Sequence, residues 1–407
     1  QMCIRDSGLP GNKECVMKRL LAFFLALLLA LTSTVGLHFL AESRIHVDSN
    51  AFASWSGDGK FQAREAILQN LTEDTILTFG SSEFQHGVKT PYHPAKVFQN
   101  TKFQMMLIGA GFYQSLSHAI TLASLGDEVQ KKEAILFLSP QWFRKSGVQP
   151  EAFASRFSDS HYIAMLKNKH LSPKVKDYMI RRSQELLSVD PSMQNRIAQY
   201  NRILYTGDAS LFDRVNYRIF TRFMEEKELQ TTMMQLIKDR IVRKSSGSKT
   251  SDTPDFVSLI DQSIKDGDKH NQGNPFYMDD NVYKRLIRPS LKKKKNQSVN
   301  GSYSTSPEYE DLSCFLDVCE DLGIRPMLVM LPVNGYWYDY TGFPKEARAD
   351  YYKKIRAIAK KYHASLLDYS DQEYTKYFFE DGVHIGKKGW AVINEDLYHF
   401  YQGHEKE

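Results

Sequence analysis

Five short apolar runs punctuate the chain beyond its first forty residues: Thr75–Gly80 (TILTFG), 103–110 (FQMMLIGA), 134–139 (AILFLS), 326–331 (PMLVML) and Ser365–Asp368 (SLLD). Each is nearly continuous in apolar character, the pattern of strands covered on both faces of a parallel sheet. Between them, apolar positions recur at helical spacing over 115–125, 308–322, 344–362 and 388–401. Alternating strands and helices predict a doubly wound α/β domain. The alternation breaks over about 144–306, which reads as a helical insertion. Its stretch 244–272 is polar and rich in Gly, Ser, Lys and Asp, so a mobile or extended connection is expected there. No repeat of 20–50 residues is visible, which argues against a solenoid.

A different pattern precedes all of this. Met17-Lys18-Arg19 leads into 20–41, LLAFFLALLLALTSTVGLHFLA, which carries no formal charge. At 1.5 Å per residue this run spans about 33 Å, enough for a hydrocarbon core of about 30 Å. A cleavable signal peptide shares these features, but no A-x-A site follows, which favours an uncleaved anchor. Lys18 and Arg19 would hold the N-terminal end in the cytoplasm and place residues 42–407 outside the membrane. Residues 1–16, ahead of Met17, show neither periodicity nor targeting character and are expected to be upstream or non-native sequence.

Composition sharpens the picture only by exclusion. With 42% hydrophobic residues the chain is neither disordered nor fibrous. The 53 Lys and Arg exceed the 48 Asp and Glu by too little to argue for nucleic-acid binding. Four cysteines, Cys3, Cys15, Cys314 and Cys319, have the spacing of neither a disulfide framework nor a zinc site, so a metal, if present, is not held that way, and no motif calls for a metal or other cofactor. Cys314 and Cys319 read best as small buried apolar residues, and a bond between them is left open.

Two segments could carry chemistry. Gly80-Ser81-Ser82-Glu83 closes the first run, where an open α/β sheet presents side chains to a ligand. It is not a G-x-S-x-G elbow, since Phe84 fills the last position. Near the other end, Asp381-Gly382-Val383-His384 sets a carboxylate three residues before an imidazole, a spacing that lets Asp hold Nδ1–H while Nε2 faces a nucleophile. Each alone has a bland reading, a turn or a solvated loop. His86 and His93 are competing bases without an Asp at comparable spacing.

A serine after the first strand and Asp-x-x-His before the last helix is the layout of the SGNH (GDSL) hydrolases, which the chain resembles. The separated runs GSSEFQH, HPAKVF, GxGxxQSLxH over 109–118, SPQWF, PVNGYWYDYTG and DGVHIG, with an N-terminal anchor, resemble more closely the DltD family of D-alanyl-lipoteichoic acid biosynthesis. The resemblance covers nearly all of the chain from Met17. It implies an SGNH-like parallel sheet and an extracytoplasmic, membrane-anchored serine acyltransferase or esterase acting on D-alanyl esters of teichoic acids in Gram-positive bacteria. Carried over by position, Ser82 is the nucleophile (Ser81 its competitor), His384 the general base and Asp381 its orienting carboxylate. Ser82 and Gly111 backbone N–H groups and the Gln141 amide form the oxyanion hole. Asn is the SGNH norm at the Gln141 position and Asp at Ser81, so the third oxyanion contact is the weakest of these assignments.

Gln114, His118 and Trp142 would line the substrate pocket, although a buried packing role competes for each. The implied partners are lipoteichoic acid or another D-alanyl-carrying substrate, the membrane, a membrane acyltransferase of the same pathway and a D-alanyl carrier protein. Lys292–Lys295, with Arg285 and Arg288 upstream, reads as a solvated segment or as a contact for a polyanion. Two other classes stay open: a polymer- or partner-binding component with a vestigial triad, and an O-acyl esterase acting on another cell-wall polymer.

Overall fold

The computed structural model describes residues 11–47, 49–57, 59–241 and 253–403. Five parallel strands form one sheet: β1 (Thr75–Gly80), β2 (Gln104–Gly109), β3 (Glu133–Leu138), β4 (Arg325–Met330) and β5 (Ser365–Asp368). Their spatial order is β2-β1-β3-β4-β5. Every residue of β1 and β2 is buried, as the unbroken apolar runs require. Alternate side chains serve opposite faces, so Leu77 and Phe79 join one core while Ile76 joins the other. β5 departs from the expectation. It is half-exposed and ends in an exposed Asp368, because it lies at the sheet edge and has a neighbour on one side only.

Helices Ser115–Leu125 and Glu308–Asp321 cover one face, and Phe256–His270 with Lys387–Tyr401 cover the other. Phe256–His270 falls inside the stretch expected to be extended. Phe256, Leu259 and Ile260 make a short apolar stripe that packs on the last helix, enough to fold an otherwise polar sequence. The remainder of that stretch, 242–252, lies outside the described residues. The other helices between β3 and β4 include Pro173–Leu186, Pro191–Asn201 and Leu211–Lys238. Cys314 and Cys319 are both buried and unpaired.

The N-terminal helix runs unbroken over Gly11–Ile45, starting ahead of Met17. Its apolar residues from Leu20 to Leu40 are largely exposed, whereas Ala41 and Ile45 are completely buried. The helix is long and apolar enough to cross a membrane once, which suits an anchor or a signal sequence. Its end is tied down firmly. Asn70 Nδ2 donates to the Ile45 carbonyl at 3.0 Å. Lys60, 1% exposed, donates to the carbonyls of Phe52, Ala53 and Trp55 at 2.7, 2.6 and 3.0 Å.

Candidate active site

The sheet order reverses direction between β1 and its neighbours, and ligands of open α/β sheets bind beyond the carboxyl ends of the strands at such a point. Ser82 opens a short helix directly after β1, Gly111 follows β2, and Gln141 lies in the turn after β3. Because β1 pairs with both β2 and β3, these three segments emerge side by side. Gly80 and Gly109 are register partners, and a Cβ on Gly109 would stand 2.4 Å from the Gly80 carbonyl oxygen. Only glycine lets the two strand ends approach this closely.

The C-terminal loop reaches the same edge. Glu380 N–H donates to the His384 carbonyl at 2.9 Å, and Phe379 bridges Ile385, closing a tight turn. Asp381 works with both carboxylate oxygens. Oδ1 accepts from the backbone N–H of Val383 and of His384, each at 2.9 Å, and Oδ2 accepts from His384 Nδ1 at 2.7 Å. With Nδ1–H committed to the carboxylate, neutral His384 presents an unprotonated Nε2. Ser82 Oγ lies 2.8 Å from that nitrogen. Gly382 is packed so closely by Trp337 that a Cβ there would fall 2.7 Å from the indole, which fixes the turn from outside.

Ser81 is occupied differently. It is 3% exposed, and its Oγ donates to the Ala110 carbonyl at 3.0 Å. Of the two serines, Ser82 is the one on the histidine.

Charge reinforces the relay. Burial alone would raise the Asp381 pKa, but the His384 hydrogen bond and charge, with the two backbone N–H groups, hold it at about 2. For His384, burial favours the neutral ring, yet the Asp381 bond and charge, aided by Glu83 and Glu380, bring the net shift upward. The imidazole is therefore a stronger base than a free one.

The remaining expected residues divide. Gln141 is half-buried and Gly111 borders open space. Gln114 is 8% exposed, and its Oε1 has no hydrogen-bond partner among the described residues. His118 is completely buried among Phe79, Tyr113 and Trp142, and desolvation pushes it down to about 3, so its ring is neutral and sits beneath the site. Trp142, 2% exposed, belongs to the same packed layer. His93 is also buried, capping a short helix through Nδ1 and meeting the Phe84 carbonyl through Nε2, and burial lowers it to about 4.

Two neighbours of the relay, His86 and Glu83, hold places that no local spacing announces. His86 stacks on His384 with ring centroids 3.6 Å apart and planes 9° apart, while its Nδ1 lies 3.3 Å from Glu380. Buried Glu83 accepts from the Ser81 N–H at 2.7 Å, and desolvation raises its pKa. The ligating atoms of His86, Asp381 and His384 lie within 4.8 Å of one another. Ring lone pairs lie in the ring plane, however, and two stacked, nearly parallel rings cannot both aim at one ion. The two rings stack, and both nitrogens of His384 are already engaged, Nδ1 with Asp381 and Nε2 with Ser82.

The profile of the DltD protein family matches residues 50–402. A Bacillus subtilis protein named Protein DltD is 32% identical over 391 residues, covering 94% of this chain and 96% of its own. Its namesake in Staphylococcus aureus is 28% identical, covering 78% of this chain and 79% of its own. That of Lacticaseibacillus rhamnosus is 23% identical, covering 80% and 77%. This chain belongs to the DltD family.

Proposed function

We propose that the protein is a membrane-anchored serine acyltransferase or esterase of teichoic acid D-alanylation, with an SGNH-like active site. The observation that carries this reading is the continuous Asp381–His384–Ser82 relay, with links of 2.7 and 2.8 Å. Ser82 Oγ attacks an activated D-alanyl carbonyl as His384 Nε2 takes its proton. The backbone N–H groups of Ser82 and Gly111, with the Gln141 side chain, receive the developing oxyanion, a donor typically contributing about 2.7–4 kcal/mol to such a transition state. His384 returns the proton to the leaving group, and a D-alanyl ester remains on Ser82. A glycerol or ribitol hydroxyl of the polymer, or water, then gives its proton to His384 and takes the acyl group, and His384 passes that proton to the departing Ser82 Oγ.

Three further features support the setting. The single apolar N-terminal helix suits tethering, and Lys18 and Arg19 ahead of it favour an external domain. Lys292, Lys293 and Lys294 lie on an exposed segment whose Leu291 carbonyl is held by Tyr340 at 3.0 Å. Tyr340 belongs to helix Gly335–Thr341, which also carries Trp337 against Gly382. A poly(glycerol phosphate) chain passing the site would meet this basic run.

The test is genetic and chemical together. Ser82→Ala in a null strain should fail to restore D-alanine esters on teichoic acid, and restoration would end the catalytic reading in favour of a binding component. A fluorophosphonate adduct should map to Ser82. Preferential release of acetate from O-acetylated glycans over release of D-alanine would reassign the substrate.

A further inference from the structure

Helix Leu211–Lys238 carries the largest group of exposed apolar side chains outside the N-terminal helix among the described residues. Phe212, Val215, Ile219 and Phe223 are 73%, 46%, 66% and 62% exposed. Their spacing of three, four and four residues sets them in one stripe along the helix. A soluble surface does not maintain such a stripe without an occupant. Arg214, Arg218 and Arg222, all exposed, recur every four residues and form a second row along its flank.

The position of this stripe identifies the occupant. Helix Leu211–Lys238 packs against the N-terminal helix, and Glu226 Oε2 lies 2.7 Å from Nδ1 of His38, within the last turns of the exposed apolar run. Phe223, the last residue of the stripe, lies one turn before Glu226, so the stripe ends close to where this helix meets the apolar run of the N-terminal helix. The flanking arginines border the apolar row, Arg222 also lying 3.1 Å from Glu225.

We propose that residues 211–223 form an interfacial helix that inserts Phe212, Val215, Ile219 and Phe223 into the bilayer while Arg214, Arg218 and Arg222 hold anionic lipid headgroups. Such helices bury their apolar face about 5–10 Å into the boundary of headgroups and acyl chains. The domain then has a second attachment beside its span, independent of the reaction at Ser82.

The test uses the full chain in vesicles of phosphatidylcholine and phosphatidylglycerol, with Cys3→Ser and Cys15→Ser removing competing thiols. Bimane on Ile219→Cys should be quenched about twofold or more by lipids bearing a nitroxide near the headgroup end of the acyl chain. Bimane on Val257→Cys, 71% exposed and on a helix covering the opposite sheet face, should be unaffected. Equal, weak quenching at both sites would overturn the proposal, as would protection of the Ile219 label only when a second copy cross-links to it. Changing Arg214, Arg218 and Arg222 to Gln should abolish the extra quenching that phosphatidylglycerol gives over phosphatidylcholine alone, and its persistence would overturn the headgroup assignment.

Discussion

The imidazole of His86 lies flat on that of His384, with centroids 3.6 Å apart, while its own Nδ1 faces Glu380. A ring in this position shields the proposed base from water, and desolvation opposes a positive charge on His384. His86→Ala should remove that shielding and leave Glu380 acting on His384. The ascending limb of the pH–rate profile should move to higher pH, with kcat down about tenfold. A shift in KM with an unmoved profile would instead make His86 a substrate contact.

Asp381 should act on the same limb from the other side. In the intact protein His384 is raised above its ordinary 6.5, so ester cleavage should rise with pH through a midpoint above that value. Asp381→Asn should lower kcat by about 10³–10⁴-fold, because the ring loses its fixed tautomer, and should bring the midpoint down. A variant retaining a tenth of the activity would remove Asp381 from the relay.

Stability should respond to these groups in opposite senses. The Asp381 pKa falls from 3.8 to about 2 on folding, so its contribution of about 2 kcal/mol is present above pH 4 and lost as pH falls toward 2. The His384 pKa rises on folding, so its contribution is complete below 6.5 and lost as pH climbs through the folded value. Urea unfolding across pH should show the acid loss in the wild type and not in Asp381→Asn.

Phe112 follows Gly111 with φ of 68° and a side chain 65% exposed. The left-handed conformation costs a bulky L residue about 1–2 kcal/mol, and such strain collects at functional sites. Phe112→Gly should hold or raise the melting temperature while raising KM for a D-alanyl ester severalfold. An unchanged KM would mean that the ring touches no substrate.

Lys60 is the stability test. Lys60→Met leaves three carbonyls at the end of the short helix Ser49–Ser54 without their shared donor and should cost about 3 kcal/mol. Unfolding by urea would show it, and a loss below about 1 kcal/mol would mean that the carbonyls find other partners.

Strands β1 to β4 are legible because a strand covered on both faces leaves little room for polar residues, and their runs end where the sheet ends. The relay is legible because Asp381 and His384 sit three apart and Ser82 caps a buried strand. His86 and Glu83 are not, since their roles depend on two loops from opposite ends of the chain meeting, and no local spacing encodes that. Helix Phe256–His270 is hidden for a related reason: its apolar stripe is too short to stand out until the last helix is there to receive it. His118, expected either to line the pocket or to pack, is completely buried, a depth that no local spacing encodes.

The pairing of Ser82 with His384 joins residues 302 positions apart. A chain made from its N-terminus displays the serine early and the histidine almost last. Until the final loop and helix arrive, the strand edge holds a hydroxyl with no base beside it. An incomplete chain thus lacks the Ser82–His384 contact, and the relay appears only together with a finished domain.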